Sequence, residues 1–180
     1  MKIIFGIVSI VILSACNQAE KKQDSNLVLL DTINKGRPIT GTHTFIKDEN
    51  LSKIFNSYMF VKDALVKSDA IETKKQAASL KTRLDTHKGC EPTALMAEKM
   101  ANTNDLATQR KVFTSLSADI ISLFKNAELQ DGVALYVQHC PMANKGDGGD
   151  WLSTSKNIRN PYYGDEMLEC GRVVEEIVKK

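Results

Sequence analysis

Residues 51–65, "LSKIFNSYMFVKDAL", decide the fold class. Leu51, Ile54, Phe55, Tyr58, Val61 and Leu65 return at steps of three and four, with Lys53, Asn56, Lys62 and Asp63 between them. At about 3.6 residues per turn this spacing gathers the apolar side chains on one face, which predicts an amphipathic α-helix with a single buried stripe. The period continues downstream. Ser68-Asp69 marks a break or cap, and Ala77, Ala78, Leu80 and Leu84 carry a second helix over 71–86 before Gly89 ends it. Glu91-Pro92 restarts the chain, and Thr93 is placed to cap a third helix running through Met100. Asn104-Asp105 caps a fourth, where Leu106, Val112, Phe113, Leu116, Ile120, Ile121 and Phe124 keep helical spacing as far as Leu129. Four helices with short connections predict a mainly α fold, an up-and-down helical bundle.

After Gln130-Asp131-Gly132 the pattern changes. "VALYVQHC" (133–140) is a dense β-branched and aromatic run that fits a strand. Residues 141–149 hold too many turn formers to be regular, 153–160 are expected to form a helical turn, and Pro161 and Gly164 mark a loop. "RVVEEIVK" (172–179) reads as a closing strand or a short helix. The expectation is a small C-terminal β/loop subdomain attached to the bundle.

At the other end, "MKIIFGIVSIVILSAC" combines a basic Lys2, an apolar run over 3–13 and Leu13-Ser14-Ala15 before Cys16. The run is shorter than the roughly 20 residues a bilayer-spanning helix needs, so it reads as a lipoprotein signal over 1–15, cleaved to leave an acylated, palmitate-bearing Cys16. Residues 16–45 then form the lipidated cysteine and a polar tether, and 46–180 a single domain. This places the protein on a membrane of the cell envelope, facing the periplasm or cell surface. The formal charge of the whole chain is +2, without a basic stripe interleaved with aromatics, which argues against nucleic acid.

The chemistry gathers in 136–171, where His139, Cys140 and Met142 lie close together and Met167 precedes Cys170 by three residues. Thiolate, thioether and imidazole form the ligand set that prefers Cu(I) or Ag(I), whereas zinc sites show paired Cys/His spacing without Met. On a strand, His139 and Cys140 point to opposite faces while Cys140 and Met142 share one; a turn at Met167 and Cys170 would aim both the same way. The competing reading is a Cys140–Cys170 disulfide, worth roughly 3–4 kcal/mol in the chain-entropy model and favoured in an oxidising compartment. It would remove both thiolates from a metal site, and the residues alone leave both readings open. Cys90, in "HKGC" after His87, would then be a free, core-packed thiol. Trp151, Tyr162 and Tyr163 are read as rings that plug the end of the bundle with their polar ends hydrogen-bonded, or as anchors for a partner protein. Asp147, Asp150, Asp165 and Glu166 lack the EF-hand pattern, and the sequence offers no nucleophile with a base beside it, so a non-enzyme is expected.

The string "CPMA...G..WLS...IRNPY.G..ML.CG", with the helices of "YMFVKDALVKSDAIETKKQAASL", resembles a helical domain of unknown function found in Gram-negative lipoproteins and at the C-terminus of Cus-type heavy-metal efflux adaptors. The resemblance spans about 51–178. It implies copper or silver handling by association, with Cys140, Met142, Met167 and Cys170 at the signature positions and an efflux component as partner.

Overall fold

The computed structural model describes residues 45–179. The signal, Cys16 and almost all of the tether lie outside the described residues. Four α-helices, α1 (Glu49–Val66), α2 (Ala70–Leu84), α3 (Glu91–Ala101) and α4 (Leu106–Phe124), precede three strands, β1 (Ala134–Cys140), β2 (Gly149–Ser153) and β3 (Arg172–Val178). The fold is mainly helical with a small antiparallel sheet of order β2-β1-β3 at its C-terminal end. No described helix is long and apolar enough to cross a membrane.

Helix starts follow from local chemistry. Asp48, Asp69 and Asp105 accept from the backbone N–H of Leu51, Glu72 and Thr108, each at 2.9 Å. Each satisfies an orphan donor and sets a negative charge at the positive helix end. Thr93, expected as a cap, sits inside α3 and donates instead to Asp119 Oδ2 at 2.9 Å, tying α3 to α4. The stripe read from the sequence is the core face: Ile54, Phe55, Tyr58, Val61 and Leu65 of α1 pack with Leu80 and Leu84 of α2 and with Phe113, Leu116, Ile120 and Phe124 of α4.

Two local expectations are corrected. α4 ends at Phe124, because Leu129 is drawn into a bridge with Ile46 and is fully buried there. Residues 153–160 form no helical turn. Ser153 Oγ takes the N–H of Ser155 at 3.1 Å and Ser155 Oγ that of Asn157 at 3.1 Å, so serine hydroxyls claim donors a helix would use.

A line of rings joins helices to sheet: Phe55–Phe124 at 5.3 Å, Tyr58–Phe113 stacked at 5.7 Å, Phe113–Tyr162 at 5.8 Å and Trp151–Tyr162 at 6.1 Å. Tyr58 is the polar joint in this line. Its oxygen accepts from Leu152 N on β2 at 3.0 Å and lies 2.7 Å from Ser117 Oγ on α4, and burial pushes its ionisation far above the ordinary tyrosine range. Tyr58→Phe strands a buried strand N–H without enlarging any cavity, so it should cost about 2 kcal/mol. Urea unfolding checks this; an unchanged midpoint would mean that Leu152 finds another acceptor.

Candidate functional site

The sheet register brings the candidate residues together. β1 pairs with β2 so that Cys140 faces Gly149, His139 faces Asp150 and Gln138 faces Trp151. Paired residues share a face, so Cys140, Gln138 and Trp151 line one side of the sheet and His139 the other. A Cβ at Gly149 would stand 2.5 Å from Tyr162 Cζ; glycine there lets the Tyr162 ring lie against the end of the ladder opposite Cys140. The Tyr162 hydroxyl donates to Asp150 O at 3.0 Å, and burial pushes its ionisation upward.

Cys170 arrives from the loop that follows β2. Its sulfur lies 3.4 Å from that of Cys140. Both are free thiols, Cys140 fully buried and Cys170 half-buried. The organiser is Asn160, which is completely buried. Its Nδ2 donates to Cys170 O at 2.9 Å, while its Oδ1 accepts from Tyr162 N at 2.8 Å and Tyr163 N at 3.3 Å. Asn160 N also donates to Leu168 O at 2.8 Å. Gly171, at φ 142°, passes so close to β1 that a Cβ would lie 2.7 Å from His139 O. Two residues beyond Cys140, Met142 O accepts from the Tyr163 hydroxyl at 2.6 Å. The thiols therefore meet across a loop held by backbone ties on both sides.

His139 is turned elsewhere. Its Nδ1 lies 2.7 Å from Asp150 Oδ1, on the sheet face away from Cys140. Met142 and Met167 are both exposed, and Met167 O accepts from Cys170 N at 3.0 Å, the turn expected between them. Trp151 departs from expectation. Its ring is fully buried, yet Nε1–H has no acceptor, and Gln138 Oε1 across the ladder likewise lacks a donor among the described residues. Cys90 is buried at the start of α3, where burial and then Glu91 push its thiol upward.

Among the described residues no cluster of three or more His, Cys, Asp and Glu side chains could hold an ion. The converging donors are two thiols, which suits a low-coordinate soft ion and no hard divalent one. The Cys170 thiol is held above the ordinary thiol range, first by the hydrogen bond it shares with Cys140 and then by burial, so the pair is a poor nucleophile until it is deprotonated.

Two further residues carry the arrangement without a sequence signal of their own. Arg110, inside the amphipathic pattern of α4, donates from Nε to Pro161 O at 3.1 Å and from Nη2 to Ser68 Oγ at 2.9 Å. Asn160 falls at the end of the helical turn expected over 153–160, and nothing in the sequence marks it as a buried hub.

A family model described as a protein of unknown function, DUF3347, matches residues 54–132. The match begins inside α1, covers α2 to α4 and stops before β1, so it includes none of Cys140, Met142, Met167 and Cys170. No curated protein and no solved structure matches the chain.

Proposed function

We propose that this protein is a non-catalytic lipoprotein, anchored through Cys16 on the outer face of a bacterial membrane, whose reduced Cys140–Cys170 pair captures Cu(I) or Ag(I) and passes it to an efflux component or holds it. The observation that carries this reading is the 3.4 Å approach of the two sulfurs. On capture each thiol gives up its proton to solvent and each thiolate donates an electron pair to the ion. Cys140 supplies the buried ligand and Cys170 the one nearer solvent, so the ion enters from the Cys170 side. The thioethers of Met142 and Met167 are exposed and available as transient ligands. The hydrogen bond of His139 to Asp150 leaves it outside this ligand set. We read the four successively packed helices as an up-and-down bundle that serves as a rigid platform.

The same approach of the sulfurs favours a second reading, a structural disulfide in an interaction module; Trp151 and Tyr162 are buried and brace the loop from within, which leaves Tyr163 as the one ring of the three placed to anchor a partner. An anaerobic Cu(I) titration of the reduced full chain in detergent, against a colorimetric chelator, separates the two. Capture predicts one ion per chain, loss of binding in Cys140→Ser/Cys170→Ser, and quenching of Trp151, the single Trp of the sequence. Its pH dependence has a definite sign. Because the Cys170 thiol is held above its ordinary value, protons compete with the metal up to and beyond about pH 8.5, and affinity should keep rising through that range. A chelator that keeps its copper against the wild type would remove the capture reading and leave the disulfide.

A further inference from the structure

Seven of the residues between Cys140 and Cys170 line, together with the first turns of α4, a groove of about 830 Å³ that contains none of the cysteines. That volume lies in the range of small-molecule sites, roughly 300–1,000 Å³. Its walls include Leu106, Tyr163 and the largely buried Tyr162, three cations (Arg110, Lys111, Lys145) and two carboxylates (Asp147, Glu166).

None of the three cations forms an ion pair among the described residues, and Glu166 lies within electrostatic reach of Arg110. Arg110 is half-buried and bonds only neutral oxygens, those of Pro161, Leu65 and Ser68. These bonds use Nε and Nη2, so of the five guanidinium donors the two on Nη1 have no acceptor among the described residues. Lys145 is held at the groove by a strained backbone. Asn144 and Lys145 adopt φ of 53° and 63°, a left-handed pair that non-glycine residues rarely form. The Asn144 side chain holds that conformation by donating to Thr114 Oγ1 at 3.0 Å and Gly148 O at 2.8 Å.

We infer that this groove binds a small monocarboxylate with an apolar or aromatic body. The charged end meets Arg110 Nη1 and the two lysines, and the body lies along Leu106 and Tyr163. Three cations against two carboxylates leave one positive charge, which suits a monoanion and opposes a dianion. The site is separate from the thiol pair, and its test is independent of the metal reading.

Isothermal titration of the full chain in detergent with benzoate and hexanoate, against benzamide and hexanamide as neutral counterparts and phenyl phosphate as a dianion, tests it. The carboxylates should bind at least about tenfold more tightly than their amides, since a charged hydrogen bond is lost in the amide. Lys111→Gln/Lys145→Gln, both surface changes that leave the fold intact, should weaken the carboxylates by about tenfold and leave amide binding unchanged. Arg110→Gln also removes ties to Pro161 and Ser68, so the lysine pair is the deciding variant. No heat with either carboxylate, equal binding of amide and carboxylate, tighter binding of phenyl phosphate, or full affinity in the lysine variant would each overturn the assignment.

Discussion

Asn160→Ala is expected to cost about 3–4 kcal/mol and to uncouple Cys170 from Cys140, the largest effect of any single polar substitution in the C-terminal region. Three backbone groups on three residues, Tyr162 N, Tyr163 N and Cys170 O, lose their partner at once. Water cannot replace it without opening the loop, because Asn160 is fully buried. Asn160→Asp is the informative companion. It keeps the acceptor for the two tyrosine N–H groups but faces Cys170 O with an oxygen and buries a charge, so it should destabilise nearly as much. Urea unfolding gives the stability, and the rate of Cys140–Cys170 crosslinking gives the geometry. If Asn160→Ala unfolds at the wild-type midpoint and crosslinks at the wild-type rate, the loop is held by its glycines and rings, and Asn160 is incidental.

Oxidation of the thiol pair is expected to raise stability by about 3–4 kcal/mol, because the closed loop of some 30 residues restricts the unfolded chain. The reaction is simple: oxidised glutathione takes up two electrons and two protons, a sulfur–sulfur bond forms, and two molecules of glutathione leave. Little movement is required, since the sulfurs already lie 3.4 Å apart and the flanking backbone is tied by Asn160 and Tyr163. The comparison is the urea midpoint of oxidised and reduced chain, with Cys170→Ser as the variant that must not respond. Should the oxidised chain be no more stable than the reduced one, the reduced unfolded chain already keeps the two ends of the loop close or the bond strains the folded one. Oxidised protein should also fail to take Cu(I), which makes the two states of the pair mutually exclusive.

Much of the helical half was legible residue by residue. The stripe from Ile54 to Leu65 was predicted and is buried. Asp69 and Asp105 were placed at the helix starts they cap. β1 was legible from its β-branched and aromatic run. β2 was not. "GDWLS" is five residues with a glycine and an aspartate, too short and too polar to show a period, and it becomes a strand only because β1 offers a ladder on one side and Tyr58 an acceptor on the other. The pairing of His139 with Asp150 is likewise a matter of register between strands eleven residues apart.

The amino-acid sequence alone determined what depends on neighbours in the chain: helical period, caps, the change to strand after Gly132, and the gathering of soft donors in the last quarter. Such features are settled over three or four residues, where one turn or one pleat sets the geometry. The tertiary structure decided which donors meet. Cys170 reaches Cys140 across 30 residues, and Arg110 reaches Pro161 across 51. Those contacts depend on the order β2-β1-β3 and on the buried amide of Asn160, where burial makes one hydrogen-bonding solution much cheaper than the others.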